Sequence, residues 1–264
     1  MRKLLFLLPL LFVACTGLER SEQDRIKRVN TVKEKIYRLD KERFTQQVTP
    51  KPVTRAPYAW EKKRGSFHPR ITKEYFRCKG SKENPATKYL NHTYYDCGGF
   101  DAHSLPIIND QEFIYPILIN LLNHVQEVSE KKVVITCGHR CPDHNKYAEP
   151  KRATSLHMIG AEVDFYVEGL EDHPEKVAEL IQSYYDEGEP DYKTFRRYDR
   201  QTDTKIHPWY NKEIFIKIYT SGEGRDFDND HSHPYLTLQV RYSRDDKKPV
   251  TYNWHRANCS FYRW

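Results

Sequence analysis

One short stretch constrains this chain more than any other: residues 155–164, which read Ser-Leu-His-Met-Ile-Gly-Ala-Glu-Val-Asp. His157 and Asp164 stand in it, with Ser155 before the histidine and Gly160 between the two. A neutral imidazole and a carboxylate are two of the three protein ligands that an open zinc site commonly uses. The flanking serine and glycine, and the apolar run around the aspartate, favour a metal site over two side chains that never meet.

A third ligand must come from elsewhere in the chain, and the pair His231 and His233 is the best candidate. Residues 235–242 alternate between apolar and polar side chains, which predicts a strand. If this strand continues back through Pro234, both histidines share its polar face and are available to a metal. His255, beside a tryptophan, is a weaker candidate.

The stretch that holds His157 and Asp164 resembles the S-x-H-x-x-G-x-A-x-D signature of the zinc D-alanyl-D-alanine peptidases, which share a fold with the hedgehog signalling domain. Residues 137–145, Cys-Gly-His-Arg-Cys-Pro-Asp-His-Asn, are similar to that family's S-G-Y-R-S-x-x-x-N segment. The resemblance covers roughly the last two thirds of the chain. It departs at Cys137, His139 and Glu162, where the family has Ser, Tyr and Ala. It implies an α+β fold, hedgehog/DD-peptidase-like, in which helices pack on an antiparallel sheet.

The resemblance also implies roles for several residues. In the family's H-x-H pair the second histidine binds zinc and the first assists the chemistry, which assigns His233 and His231. Asp228 and Asp230 are alternatives for the catalytic base, because the family often has a carboxylate near the ligand. Arg140 is similar to the family's substrate-binding arginine, since a guanidinium suits a terminal carboxylate or a developing oxyanion. A salt bridge is the alternative interpretation of this arginine.

These assignments together predict a zinc-dependent peptidase. Zn²⁺ held by His157, Asp164 and His233 leaves a fourth position for water, whose pKa the metal lowers toward about 7. Ser155 is predicted to orient the loop or the substrate, because no general base is recognisable beside it. The expected substrates are D-amino-acid-containing bonds in peptidoglycan stem peptides or cross-links. The alternatives are a non-catalytic peptidoglycan-binding module on the same fold and a structural envelope lipoprotein.

The N-terminus predicts export. Residues 1–14 combine a positive start, a short apolar run and a small residue before Cys15, which is typical of a bacterial lipoprotein signal peptide. The apolar run is too short to span a membrane. Lipidation of Cys15 would tether the mature chain to a membrane in the cell envelope, on the periplasmic or extracytoplasmic side. The alternative is an ordinary secretory signal with a coincidental cysteine.

The rest of the chain divides into an extension and a domain. Residues 15–57 predict a charged amphipathic helix over 19–44 and a Pro-rich tether, because apolar residues recur at threes and fours and prolines follow. Residues 58–264 form the predicted zinc peptidase-like domain. Within this domain, the pattern predicts helices over residues 110–128, with Asp110 or Asn109 as N-cap, and over 171–186, and strands over 133–136, 213–220 and 235–242.

Charge and cysteine content limit the partners. The formal net charge is +6, and the basic residues are interspersed, which suits an anionic wall polymer or membrane surface and does not favour nucleic acid. With Cys15 lipidated, five cysteines remain and cannot all pair within one chain. A Cys78–Cys97 bridge and a Cys137–Cys141 bridge are candidates. A structural zinc site is disfavoured, because the C-x3-C spacing has no second pair.

Overall fold

The structure, a computed structural model, describes residues 68–200 and 202–263. The predicted signal peptide, the predicted lipidation site Cys15, the predicted helix over 19–44 and the predicted Pro-rich tether lie outside the described residues. Within the described part, no helix is both long enough and apolar enough to cross a bilayer.

The elements of the described part are mostly short. The strands are β1 (Thr87–Tyr89), β2 (His92–Tyr94), β3 (Ile107–Ile108), β4 (Gln111–Glu112), β5 (Val133–Cys137), β6 (Glu162–Val167), β7 (Arg196–Arg197), β8 (Trp209–Tyr210), β9 (Ile214–Tyr219), β10 (Tyr235–Val240), β11 (Tyr242–Ser243) and β12 (Lys248–Pro249). The α-helices are α1 (Pro116–Ser129), α2 (Pro142–Ala148), α3 (Pro174–Ser183), α4 (Pro190–Lys193) and α5 (Trp254–Cys259). Short 3-10 turns cover Lys73–Phe76, Phe100–Ala102, Leu156–Ile159 and Phe227–Asn229.

A six-stranded antiparallel sheet organises the domain, with strand order β5-β6-β10-β9-β8-β7. The predicted α+β class with an antiparallel sheet is therefore confirmed. Side chains alternate between the faces of a strand, and one face of β10 carries Leu236, Leu238 and Val240, all at most 2% exposed. Helices α1 and α3 cover this face and pack against each other. The core consequently lies between the helices and one side of the sheet, and the other side is left to polar residues.

Helix α1 begins later than the sequence predicts. Asn109 and Asp110, the predicted N-caps, instead form the two-residue turn of the β3–β4 hairpin, with φ of 50° and 60°. Such a turn needs positive φ at both central residues, and Asn and Asp tolerate that conformation well. The helix starts with Pro116. A backbone N–H at the first helical position has no acceptor within the helix, so proline, which lacks this N–H, is well suited to it. The buried residues Leu118, Leu121, Leu122 and Val125 keep the predicted apolar stripe.

An irregularity in β5 changes which face its last residue uses. Ile135 pairs with Phe165, so a regular antiparallel ladder would pair Cys137 with Val163. Cys137 instead pairs with Asp164, and the register therefore shifts between Ile135 and Cys137. Residues directly opposite each other in an antiparallel pair point to the same face. The bulge therefore turns Cys137 from the core side to the polar side of the sheet, where Asp164 lies.

Neither predicted disulfide is present. Cys78, Cys97, Cys137 and Cys141 are all free and buried, and Cys259 is free and exposed. The Cys78 and Cys97 sulfurs lie 3.6 Å apart, whereas a disulfide bond is about 2.05 Å long. Short elements between residues 78 and 103 are thus not joined by a covalent bridge.

Candidate functional site

The polar face of the sheet carries the candidate site. Asp164 on β6 lies directly opposite Thr237 on β10, and Thr237 lies opposite Lys217 on β9. The face borders a cavity of about 450 Å³. The alternation of each strand thus places a row of polar side chains along the wall of one cavity.

The loop before β6 is built to hold His157. Ser155 accepts a hydrogen bond from the His157 backbone N–H at 3.0 Å and so caps the 3-10 turn Leu156–Ile159. Gly160 ends the turn at φ +70°, and a Cβ there would stand 2.9 Å from the Phe113 carbonyl oxygen. Only glycine satisfies both conditions. The serine and glycine of the motif therefore have local structural reasons, and the predicted loop-orienting role of Ser155 agrees with its contacts.

The His157 ring is oriented with one nitrogen toward two carboxylates. Its Nδ1 lies 2.7 Å from the Gly138 carbonyl oxygen and donates to it, which leaves the Nε2 lone pair free. Nε2 lies 3.4 Å from Asp164 Oδ2 and 3.8 Å from Glu162 Oε2. Two ligand atoms of a tetrahedral zinc ion at about 2.0–2.2 Å stand about 3.3–3.5 Å apart. His157 and Asp164 thus fit two ligands of one ion.

The carboxyl group of Asp164 is held from two sides. Thr237 Oγ1 donates to its Oδ1 at 2.6 Å, and Asn229 Nδ2 donates to its Oδ2 at 2.8 Å. Asn229 is in turn held by Thr136 and by Asp226. Such partners orient a metal-binding carboxylate, which fits the second layer of a metal site.

The structure does not bring the predicted third ligand, His233, into the group of ligand atoms that contains His157 and Asp164. His233 precedes β10 by two residues and lies on the expected face, but the β10 position opposite Asp164 is Thr237, four residues further along. The rings of His231 and His233 instead stack on each other with centroids 3.9 Å apart, and His233 packs on Tyr166. Among the described residues, neither histidine belongs to a group of three or more residues whose ligand atoms lie within 4.8 Å of one another. Strand spacing separates them from the ion that His157 and Asp164 could share.

His255 is also placed away from the site. It is exposed on α5 and belongs to no such group of ligand atoms in the described part of the chain.

Two other side chains approach the His157–Asp164 pair. Cys137 Sγ lies 3.6 Å from His157 Nδ1, the nitrogen that faces away from the carboxylates, and burial raises the pKa of Cys137 to about 12. Cys137, His157 and Asp164 form a group of ligand atoms within 4.8 Å of one another, but the sulfur faces Nδ1, which already donates to Gly138. Glu162 Oε2 faces Nε2 at 3.8 Å, but Glu162 is outside this group and its Oε1 accepts a hydrogen bond from Gln239, so a side-chain movement must bring it to the ion.

The contacts of Arg140 favour its alternative interpretation as a salt-bridge residue over the predicted substrate-binding role. Its side chain is 1% exposed and its guanidinium nitrogens face Glu149 at 3.2 Å, Asp228 at 3.0 Å and Asp226 in a shorter contact. Asp164 lies 3.8 Å away. Each nitrogen of this guanidinium thus already has an acidic partner, although Arg140 also lines the cavity. The salt bridges that the sequence offered as the alternative are therefore present, and they are buried rather than on the surface.

The predicted bases do not suit the role either. Asp228 accepts from His144 Nε2 at 2.9 Å, and His144 Nδ1 contacts Asp96 at 2.6 Å. Burial alone would lower the pKa of His144, but the hydrogen bonds to Asp228 and Asp96 outweigh it and raise the pKa to about 10. Burial would raise the pKa of Asp228, yet His144 and Arg140 lower it below its usual range, so Asp228 stays an ionised partner. Asp230 is exposed and does not line the cavity.

Two residues that the sequence did not single out suit those roles better. Burial raises the pKa of Asp226 to about 6, with Asp164 and Asp228 adding to the shift against Arg140, and Asp226 lines the cavity. Arg225 lines the same cavity, and its only hydrogen bonds among the described residues go to the carbonyl oxygens of Asn229 and His233. No spacing rule marks either residue, because both lie in an irregular segment before β10.

Carboxylates outnumber cations in this buried region. Arg140 and His144 face five acidic side chains, Asp96, Glu149, Asp164, Asp226 and Asp228, and His157 faces a further one, Glu162. Burial disfavours a charged imidazole, but the neighbouring acidic groups raise the pKa of His157 well above its usual value. Buried charge without compensation is costly, so the arrangement takes up either protons or a metal cation.

Comparison with known proteins identifies no relative: no protein-family model, no curated protein and no solved structure matches this chain. The described residues nevertheless contain groups of cysteine, histidine and aspartate side chains that could bind a metal ion.

Proposed function

We propose that this protein is a zinc-dependent peptidase that hydrolyses D-amino-acid-containing bonds in peptidoglycan peptides. One observation carries the proposal: His157 Nε2 and Asp164 Oδ2 lie 3.4 Å apart on the wall of a cavity of about 450 Å³. That distance suits two ligands of a tetrahedral ion. The substrate class rests on the resemblance of residues 137–145 and 155–164 to the zinc D-alanyl-D-alanine peptidases.

The ligand set that we propose is His157, Asp164 and Glu162, with Glu162 replacing the predicted His233. Glu162 stands where the family has alanine, and its Oε2 is 3.8 Å from His157 Nε2. Histidine and carboxylate ligands are an established combination for catalytic zinc. When bound, zinc lowers the pKa of water and polarises the carbonyl group to be attacked.

The protein's own residues would divide the remaining work. Asp226, with a pKa near 6, can accept a proton from water at neutral pH and return it to the leaving amine. Arg225 can bind a substrate carboxylate, because its guanidinium has no acidic partner among the ion pairs of residues 68–200 and 202–263. Hydrolysis then places hydroxyl on the acyl carbon and hydrogen on the amine.

The test compares zinc content and muropeptide hydrolysis in purified variants, with products followed by chromatography and mass. His157→Ala and Asp164→Asn should lower turnover at least about a hundredfold, since metal polarisation supplies several kcal/mol. His255→Ala, an exposed histidine, is the matched control and should leave both quantities unchanged. His233→Ala should also retain activity. Loss of activity in His233→Ala together with full activity in Glu162→Gln would contradict the proposed ligand set.

A second candidate, a non-catalytic module that binds peptidoglycan peptides, is favoured by Thr237. This side chain occupies the β10 position opposite Asp164 and donates a hydrogen bond to it, so no ligand comes from that strand at that point. Calorimetric binding of a muropeptide without turnover, in a zinc-loaded preparation, would support this function over the first. Free D-alanine or a cleaved cross-link among the products would exclude it.

A location in the cell envelope is compatible with both the peptidase and the peptidoglycan-binding module. Cys15 and the preceding apolar run motivate a membrane-tethered lipoprotein in contact with the cell wall. The net charge of +6 is compatible with an anionic wall or membrane surface.

A further inference from the structure

A second group of metal-ligating side chains lies outside the cavity. The sulfur atoms of Cys78, Cys97 and Cys141 and a ring nitrogen of His103 all lie within 4.8 Å of one another. The four residues are between 1% and 8% exposed. None of them lines the cavity that holds His157 and Asp164. The cluster therefore belongs to neither the substrate site nor the proposed catalytic metal.

The spacing of these atoms matches a small tetrahedron. Cys78 Sγ lies 3.6 Å from Cys97 Sγ, and Cys97 Sγ lies 3.8 Å from His103 Nε2. With zinc–sulfur bonds of about 2.3 Å and zinc–nitrogen bonds of about 2.0–2.1 Å, the edges of a tetrahedral site are about 3.8 Å and about 3.6 Å. Free thiols brought together by chance have no reason to converge from separate chain segments to these distances.

The surroundings orient the donors toward a common centre. His103 Nδ1 lies 3.0 Å from the Ser104 carbonyl oxygen, to which it can donate, so that Nε2 presents its lone pair to the sulfurs. Backbone N–H groups of Gly99 and His144 donate to the Cys97 and Cys141 sulfurs at 3.3 and 3.4 Å. A carbonyl behind the histidine and amide donors to thiolates are the outer partners that metal ligands require.

We propose that Cys78, Cys97, His103 and Cys141 form a structural zinc site. Three cysteines and one histidine fill all four tetrahedral positions, which leaves none for water or substrate and distinguishes a structural from a catalytic site. On binding, the three thiols release their protons to solvent and the thiolates coordinate the ion. No oxidant or reductant takes part.

The site explains how an irregular part of the domain is held together. Cys78 follows the turn Lys73–Phe76, Cys97 follows β2, and His103 follows the turn Phe100–Ala102. Cys141 comes from a separate segment of the chain, immediately after Arg140. A zinc ion would therefore tie residues 78–103, which have few regular elements, to the loop that carries the buried arginine. Structural zinc contributes directly to the free energy of folding in such segments.

The first experiment uses the purified wild-type full chain. We expect stably bound zinc whose X-ray absorption fine structure contains sulfur neighbours at about 2.3 Å and a nitrogen neighbour at about 2.0–2.1 Å. After cobalt exchange, the near-ultraviolet spectrum should show thiolate-to-cobalt charge transfer. Neither readout depends on peptidase activity, and the ligand set proposed for the catalytic zinc, His157, Asp164 and Glu162, contains no sulfur. Zinc with only oxygen and nitrogen neighbours would overturn this proposal without touching the proposed function.

The second experiment assigns the ligands. Cys78→Ser and Cys141→Ser should each abolish the charge-transfer band or lower zinc affinity by at least about tenfold, the lower range for disturbing a metal site. Cys259→Ser is the matched control, because Cys259 is exposed and outside the cluster, and its spectrum should equal wild type. His103→Gln tests the nitrogen ligand if a cysteine variant fails to fold. A Cys78–Cys97 disulfide found by mass in the native protein would refute the site.

Discussion

Replacing His124 with glutamine should flatten the acid dependence of stability. His124 lies on α1 in the core, 4% exposed, with Nε2 3.1 Å from Ser183 Oγ on α3 and its ring against Tyr184. Burial lowers the pKa of His124 from 6.5 to about 4, despite a hydrogen bond to the Leu180 backbone and the charge of Asp186 that raise it. The folded protein therefore holds this ring neutral where the unfolded chain protonates it.

The magnitude follows from that pKa difference. A folded-state pKa below the unfolded value means that stability is full above pH 6.5 and is lost as pH falls toward about 4. Each pKa unit corresponds to about 1.4 kcal/mol, so the wild type should lose roughly 2–3 kcal/mol over this window because of His124. Glutamine keeps a hydrogen-bonding group for Ser183 and does not titrate.

The assay is urea unfolding of wild type and His124→Gln at pH 7, 5.5 and 4.5 by circular dichroism, a pH series chosen to span the unfolded pKa of about 6.5. Other titrating groups contribute equally to both proteins and cancel in the difference. His255→Gln, an exposed histidine, is the matched control and should follow the wild-type curve. Parallel curves for wild type and His124→Gln from pH 7 to pH 4.5 would refute the assignment of a neutral buried ring.

Three further predictions concern the loop, the base and the N-terminus. In a thermal unfolding assay, Gly160→Ala should destabilise the fold by more than the roughly 1–2 kcal/mol that left-handed backbone strain costs, because its Cβ would also meet Phe113. Gly222→Ala is the control for the strain alone, because Gly222 has φ of +86° and no atom lies within 4 Å of its Cβ position. If Asp226 is the base, peptidase activity should fall as pH drops through about 6, and Asp226→Asn should remove that acidic limb and lower turnover about a hundredfold or more; an unchanged pH–rate profile would exclude this role. Cys15→Ser should abolish incorporation of labelled fatty acid and move the protein from the membrane fraction to the soluble fraction; continued labelling would contradict lipidation there.

The regular elements around the core could be read from the sequence. The stripe through Leu118, Leu121 and Val125 and the alternation in β9 and β10 repeat at the periods of helix and strand, and burial on one side follows from those periods. The start of α1 was misplaced, because Asn109 and Asp110 are as suitable for a tight hairpin turn as for a helix cap. The pairing of Gln111–Glu112 with Ile107–Ile108 decides in favour of the hairpin turn over the helix cap.

The part of the candidate site that lies within one loop could also be predicted from the sequence. Ser155, His157 and Gly160 act within one turn, where capping and left-handed geometry depend on neighbouring residues. The contacts between β6 and β10 could not be predicted. Thr237 faces Asp164 because of the register between β6 and β10, and His233, four residues earlier, lies outside the group of ligand atoms that contains Asp164.

By itself, the sequence determined the helical and strand periods, the capped histidine loop and the charge of the chain, because each depends on residues close together along it. The tertiary structure alone decided which carboxylates surround Arg140, that Cys137 turns to the polar face, and that three cysteines and His103 meet. These contacts join segments tens of residues apart. Their distances are set by sheet register, a bulge and packing, which no short motif encodes.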